Sequence, residues 1–281
     1  MNVDREPLFC DTALAQRIER VEAQLIANDS KAAHRRNPEA SGFLIPVAGG
    51  IACFAEPDSP FNKVVGLGFS GMPSADALSE IENAFASRGA PVQIELSHLG
   101  DPALGTLLTE RGYRLVSFEN VLGLDLRNKP ERVTPPGIEI RPSGDDEFDA
   151  WIDVVMEGAT HPDTQGVATH EEFPRDVLER AERDSAAGLI RYVALREGVF
   201  AGGASFTMVD GIAALTGAAT APPHRRKGIQ TALLSARLAD AAAAGCNVAV
   251  MTTQPGSKSQ QNAQRRGFDL LYTRADLLKQ I

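Results

Sequence analysis

The feature that most constrains this chain is an order of elements that occurs twice. A helix-like run ends at Ser87-Arg88-Gly89, a strand-like stretch follows at Val92 to Leu96, and a short helical patch then ends in Arg111-Gly112-Tyr113-Arg114-Leu115. Later, a helix ends at Ala244-Gly245, a strand-like stretch spans Val248 to Thr252, and a short helical patch ends in Arg266-Gly267-Phe268-Asp269-Leu270. Gly89 to Gly245 is a shift of 156, and Arg111 to Arg266 is a shift of 155. Two different elements that keep nearly one offset read as a diverged internal duplication. Chance recurrence of helix–Gly–strand in an α/β chain is the plainer alternative. Between the copies, Arg127 to Gly137 is polar, rich in proline and without apolar periodicity, so it reads as a linker. The expected domains are 1–130 and 131–281.

A chain of 281 residues suits two cores better than one. The net charge of -9 argues against a surface built to bind nucleic acid, and leaves room for a small cationic substrate. No apolar run approaches the roughly 18 residues that span a bilayer. Met1 to Asp11 carries charges and Pro7 where a signal peptide carries an apolar core, so a cytoplasmic location is expected. Cys10, Cys53 and Cys246 share neither metal-ligand spacing nor a paired pattern, so no metal and no disulfide is expected.

The second half reads as an antiparallel meander followed by a strand–helix–strand unit. Strand Ile138 to Arg141 leads into one or two helices between Asp145 and Ala187. Strands follow at Leu189 to Arg196, Phe200 to Val209 and Ile212 to Ala219, the last two joined by the hairpin turn Asp210-Gly211. Ile229, Ala232, Leu233, Ala236 and Ala239 keep helical spacing from about Gly228 to Ala243. Strand Val248 to Thr252, helix Ser259 to Arg266 and a strand from Phe268 complete a mixed α/β sheet.

The segment that carries chemistry is Thr220-Ala221-Pro222-Pro223-His224-Arg225-Arg226-Lys227-Gly228-Ile229-Gln230-Thr231. Two prolines end the strand. Three cations precede Gly228, where a missing side chain lets backbone approach a ligand. The following helix offers unpaired N–H groups and a positive dipole end, which suits a pyrophosphate. A solvated basic loop is the bland alternative. A nucleotide-binding P-loop is excluded, because its Gly-Lys order is reversed here.

With Arg225-x-x-Gly228, this loop resembles the GNAT acetyltransferase superfamily, although Gln230 departs from the family's Arg/Gln-x-x-Gly-x-Gly/Ala pattern. Pro255 to Asn262 leading to Arg265-Arg266-Gly267-Phe268 is similar to the family's last helix and strand. The resemblance covers most of Ile138 to Leu278. It implies two tandem GNAT-like domains, each a mostly antiparallel twisted sheet flanked by helices, the first of them degenerate. It also implies that the backbone of Arg226, Lys227, Gly228, Ile229, Gln230 and Thr231 holds the acetyl-CoA pyrophosphate, with Arg225 bracing the loop. Ala218, Ala219 and Thr220 would lie beside the pantetheine, and Ser259 and Asn262 would contact it. The implied reaction is direct attack of a primary amine on the thioester, with an N–H near Ala218 or Ala219 polarising the carbonyl.

The proton carriers do not follow from the sequence. The family's acid, a tyrosine four residues before the Gly of Gly-Phe, is replaced by Ala263. Tyr272, Ser259 or water then remain as donors to the thiolate. The usual strand carboxylate is missing between Ile212 and Ala219; Asp210, Glu157, His161 and His224 remain, each with a bland reading as a solvated or turn residue. His161, Asp163, His170, Glu171 and Glu172 occupy the region where the family builds specificity, and their spacing matches no common metal site.

In the first half, Gly66-x-Gly68-x-x-Gly71 matches a dinucleotide fingerprint literally, and Glu95 closes the next strand. Pro73 and the N-cap-like Ser74 start the helix too late for that reading. These glycines stand where the duplication places the cofactor loop, without its cations. A half of this kind would cover a sheet edge as a second subunit does, giving a monomeric pseudo-dimer, with a homodimer as the alternative. The leading function is N-acetyl transfer to a small-molecule, peptide or protein amine. The alternatives are a non-catalytic acyl-CoA sensor and, more remotely, a nucleotide-dependent regulator.

Overall fold

A computed structural model describes residues 6–128, 130–161, 165–167 and 172–280 of the protein. In chain order its elements begin with α1 (Thr12–Arg36), β1 (Phe43–Val47), β2 (Gly50–Phe54), β3 (Lys63–Val65), α2 (Ala75–Ala86), β4 (Val92–Ser97), α3 (Pro102–Glu110) and β5 (Arg114–Asp125). They continue with β6 (Ile138–Pro142), α4 (Phe148–Ala159), α5 (Arg175–Ala186), β7 (Ile190–Arg196), β8 (Val199–Val209) and β9 (Ile212–Thr220). The last are α6 (Ile229–Ala243), β10 (Val248–Thr253), α7 (Lys258–Arg265) and β11 (Asp269–Lys279). The succession strand, loop, helix, strand, helix, strand therefore occurs twice, as β3 to β5 and as β9 to β11.

Local chemistry starts and stops these elements where the sequence suggests. Ser74 caps α2 by accepting from the Ala77 N–H, and Ser257 caps α7 by accepting from Gln260. Asp210 and Gly211 take φ of +50 and +74, as a tight hairpin between β8 and β9 requires. The copies end their helices with matching bonds: the Ala90 N–H donates to the Phe85 carbonyl and Cys246 to Ala241, at 3.2 and 3.0 Å. Likewise Tyr113 donates to Leu108 and Phe268 to Ala263, at 3.0 and 3.2 Å. Each is the outer bond of a glycine-terminated helix end, with Gly89, Gly245, Gly112 and Gly267 all at positive φ.

The chain divides into two compact units. The first comprises Met1–Leu124, Gln165–Pro174 and Thr252–Ile281. Its strands lie in the order β1-β2-β3-β4-β11-β5, antiparallel except for the β3–β4 pair. Phe54, Leu78, Ile81, Phe85, Ile94 and Leu104 lead its core. The second comprises Asp125–Thr164 and Arg175–Met251. Its strands lie in the order β6-β7-β8-β9-β10, antiparallel except for β9–β10, and Trp151 of α4 anchors its core. The mixed, mostly antiparallel α/β architecture in two similar halves is the expected one.

The units are not, however, the sequence segments 1–130 and 131–281. The last strand pairs with β4 on one side and β5 on the other, so it completes the first unit. Its alternate residues Tyr272, Arg274 and Asp276 are 1–2% exposed, and Arg274 lies 2.8 Å from Glu19 of α1, so the strand carries the polar partners that α1 needs. The stretch Arg127 to Gly137 is also more than a tether. Arg132 donates to both carboxylate oxygens of Asp240 on α6, and the Val133 N–H donates to Ser235 Oγ at 2.9 Å. A proline-rich strap satisfied by side chains has no periodicity, so the sequence does not reveal it.

Candidate functional site

In the second unit the site is built around an irregularity in β9. Gly203 of β8 faces Ala219, yet Ser205 faces Thr216, so Gly217 and Ala218 together oppose Ala204 alone. This is a β-bulge, and Gly217 takes a φ of +48 there. On its other side β9 pairs with β10 only through Ile212, Ala213 and Ala214. Beyond Ala214 it has no register partner in β10, so the bulged backbone is open on that side. Ala218 is exposed, while Ala219 is buried against the Trp151 core. Arg237 of α6, only 2% exposed, donates to the carbonyls of Ser205 (2.8 Å) and Thr216 (3.2 Å), holding both flanks of the bulge. Burial pushes its guanidinium down to about 10.

The cationic loop starts where β9 ends. Arg225 turns back and donates to the carbonyls of Thr220 (3.3 Å), Gly158 (3.1 Å) and His161, tying the loop to the end of α4. Arg226 and Lys227 are exposed, and Arg226 takes a φ of +61. Gly228 sits at the N-cap of α6 with φ +89 and brings no capping side chain. A Cβ there would come 2.9 Å from Pro135 of the strap, so the position demands glycine on two counts. The Ala232 N–H is the first to return to the loop, donating to the Gly228 carbonyl at 3.0 Å. The first turn, from Ile229, presents the positive end of the helix. Two nearby polar atoms, Thr220 Oγ1 and His224 Nδ1, are buried without a hydrogen bond among the described residues. This uncapped, cationic cradle fits an anion of pyrophosphate character. Gln230 reaches across it, its Nε2 3.4 Å from the Ala218 carbonyl.

One group escaped the sequence reading. Glu182 on α5 puts Oε1 within 2.8 Å of where a Gly217 Cβ would be, while Ser205 Oγ stands 2.7 Å from the same point. Among the described residues Glu182 makes no hydrogen bond or ion pair, and burial pushes its carboxyl up to about 7. In sequence it is one acid in the charged run Glu179 to Asp184, 35 positions before the bulge, and nothing marks it.

The remaining candidates divide. His161 holds the Glu157 carbonyl through Nδ1 at 2.9 Å, Glu157 is exposed, and Asp210 stays in its hairpin. Asp163, His170 and Glu171 lie outside the described residues. Ser259 is exposed and Asn262 half-buried, both on α7 within the first unit. Tyr272 also belongs to that unit. Its hydroxyl is buried and donates to Glu19 Oε1 at 2.6 Å, and burial together with the Glu19 charge raises its pKa far above the ordinary range.

Around Tyr272 the first unit holds a buried ionic network. Arg274 Nε lies 2.8 Å from Glu19, and its other nitrogens lie 3.7 Å from Glu22, Glu95 and Glu119. Lys63 pairs with Glu95 at 2.5 Å, so the acid that a dinucleotide reading would assign to a ribose is already engaged. Burial first, and then the Glu95 charge, push Glu119 up to about 8.

A model of the acetyltransferase (GNAT) family matches residues 155–268. Among solved structures, a GCN5-related N-acetyltransferase from Kribbella flavida superposes with a TM-score of 0.63 at 19% identity, covering 92% of this chain and 95% of that one. One from Sphaerobacter thermophilus gives 0.59 at 15%, covering 94% and 93%. A tandem GNAT protein from the clavulanic acid biosynthesis pathway gives 0.61 at 11%, covering 97% of both chains. At these identities the likeness is one of fold, along nearly the whole length. No curated protein sequence matches the chain.

Proposed function

We propose that the protein, whose residues 155–268 match the acetyltransferase (GNAT) family, is an acetyl-CoA-dependent N-acetyltransferase acting on a primary amine. The observation that carries this reading is the conjunction of the uncapped α6 N-terminus with the open β9 bulge beside it. Amides of Arg226 to Thr231 would hold the pyrophosphate, with Arg225 bracing their loop through three carbonyls. The bulged backbone at Ala218 and Ala219 would present an N–H to the acyl carbonyl, stabilising negative charge as it develops. When bound, the cosubstrate supplies an activated thioester whose thiolate is a good leaving group. The chain's own task is then to position two reactants and to accept a proton. The proposed setting is the cytoplasm, and no helix among the described residues is long and apolar enough to cross a membrane.

Calorimetric titration with acetyl-CoA tests the reading, with thiol release in the presence of amines as its second arm. One site per chain that disappears in Gly228→Val, together with amine-dependent thiol release, is expected. Absence of binding overturns the reading. Binding without thiol release across a broad amine panel would identify an acyl-CoA sensor instead.

A further inference from the structure

We propose that Glu182 is the general base of the second unit, taking the proton from the acceptor amine beside the bulge at Gly217. The inference rests on the acetyltransferase reading and deepens it, because that reading leaves the proton unassigned.

The open edge of β9 begins after Ala214 and includes the bulge, and Glu182 is the carboxylate whose oxygen lies against it. Gly217 makes the approach possible, since any side chain there would collide with both Glu182 Oε1 and Ser205 Oγ. The glycine therefore clears room in front of a carboxylate at the place where the sheet opens.

The strands facing Glu182 bring no charge: neither Val199–Val209 nor Ile212–Thr220 contains an ionisable side chain. The neighbouring cations are held elsewhere. Arg183 lies 2.7 Å from Asp149 of α4 and 3.3 Å from Glu179, and Arg180 lies 2.8 Å from Asp176. Arg237 is spent on the Ser205 and Thr216 carbonyls. The other acids of α4, Asp153 and Glu157, are exposed. The hydroxyls of Ser205 and Thr216 bond each other at 2.9 Å and take no part in neutralising the carboxylate. A half-buried acid with no partner among the described residues is costly to a fold, and an ammonium group arriving at the bulge would relieve that cost. Desolvation also raises its proton affinity toward neutrality, where a base is most effective near physiological pH.

The Glu182 carboxylate takes one proton from the substrate ammonium, leaving a neutral amine whose lone pair forms the C–N bond. The C–S bond breaks with its electron pair going to sulfur. The second nitrogen proton passes through water to the thiolate, and Glu182 then returns its proton to solvent.

Two measurements on the full chain test this. The first needs no turnover: carbon NMR of protein labelled at glutamate side-chain carboxyls, with the Glu182 resonance assigned by its loss in Glu182→Gln. A midpoint near 7 is expected, and one in the ordinary carboxylate range overturns the proposal while leaving the reading intact. The second follows thiol release from acetyl-CoA between pH 5.5 and 9.5, using a diamine, a polyamine, an arylethylamine and a lysine peptide as amines. Glu182→Gln is expected to lower kcat about 10²-fold at pH 7 with calorimetric acetyl-CoA affinity unchanged. It should also replace the wild-type plateau above pH 7 with a rate that keeps rising with pH. Glu179→Gln, one turn earlier on the same helix, should stay within about twofold of wild type. An unchanged rate and pH profile in Glu182→Gln overturns the proposal alone. Thiol release from none of the amines by the wild type defeats the proposal and the reading together.

Discussion

The loop after β3 and the loop after β9 occupy the same place in two copies of one design, and they use glycine for opposite purposes. In the first, Gly66, Gly68 and Gly71 all take positive φ, but the space beside Gly66 and Gly68 is filled by the chain itself. A Cβ on Gly66 would lie 3.2 Å from Ala23 and 3.3 Å from Gly50, and one on Gly68 would lie 3.2 Å from Gly100. The Gly68 carbonyl is already taken by the Asp101 N–H at 2.8 Å. In the second, Gly228 stands at an uncapped helix start, behind Arg226 and Lys227 that face solvent. The matching helix in the first copy is closed by Ser74. The charged groups of the first unit have instead gone inward, around Arg274. A duplicated backbone can thus keep its helix C-terminal ends and turns while one copy turns its polar groups inward and the other leaves a helix start uncapped beside exposed cations.

The largest test of that contrast is Arg274→Met. It leaves Glu19 and its neighbours buried without their cation, so a loss of about 3–5 kcal/mol is expected in urea unfolding. A loss below about 1 kcal/mol would mean that the acids simply take up protons, and the network would no longer count as structural.

Next comes the pair Gly228→Val and Gly71→Ala. The first should weaken acetyl-CoA binding at least about 100-fold by calorimetry, through strain at positive φ and collision with Pro135. The second should leave that affinity within about twofold and cost about 1 kcal/mol of stability, because nothing lies within 4 Å of its Cβ position. Loss of binding in Gly71→Ala would make the two loops functionally alike and break the comparison. Arg225→Ala removes three carbonyl contacts without adding bulk, so a milder loss of about tenfold is expected by the same titration.

The smallest effect concerns pH. The folded value for Glu119, about 8, lies above its ordinary 4.5, so the native state holds more protons than the unfolded chain between those limits. Its stabilising contribution is complete below about 4.5 and fades as pH rises through 8. Glu119→Gln, which mimics the protonated acid, should raise the melting temperature at pH 8 by about 3 °C and leave it unchanged at pH 5. Equal shifts at both pH values would assign the effect to packing.

What the sequence determined by itself is local. The helix ends at Gly89, Gly112, Gly245 and Gly267, the Ser74 cap, the Asp210-Gly211 hairpin and the loop from Arg225 to Gly228 all follow from residue types within a few positions of one another. Such features depend on φ preference, capping and helix polarity, and these act over short range. The tertiary structure decided what depends on distant partners. It gave β11 to the first unit, because Tyr272 and Arg274 meet Glu19 more than 250 positions away. It laid the proline-rich strap on α6 through Ser235 and Asp240. It brought Glu182 to Gly217, where a bulge in one strand opens onto a helix that reads in sequence as a solvated, charge-dense surface. Burial and electrostatic pairing are sums over neighbours in space, so no window along the chain contains them.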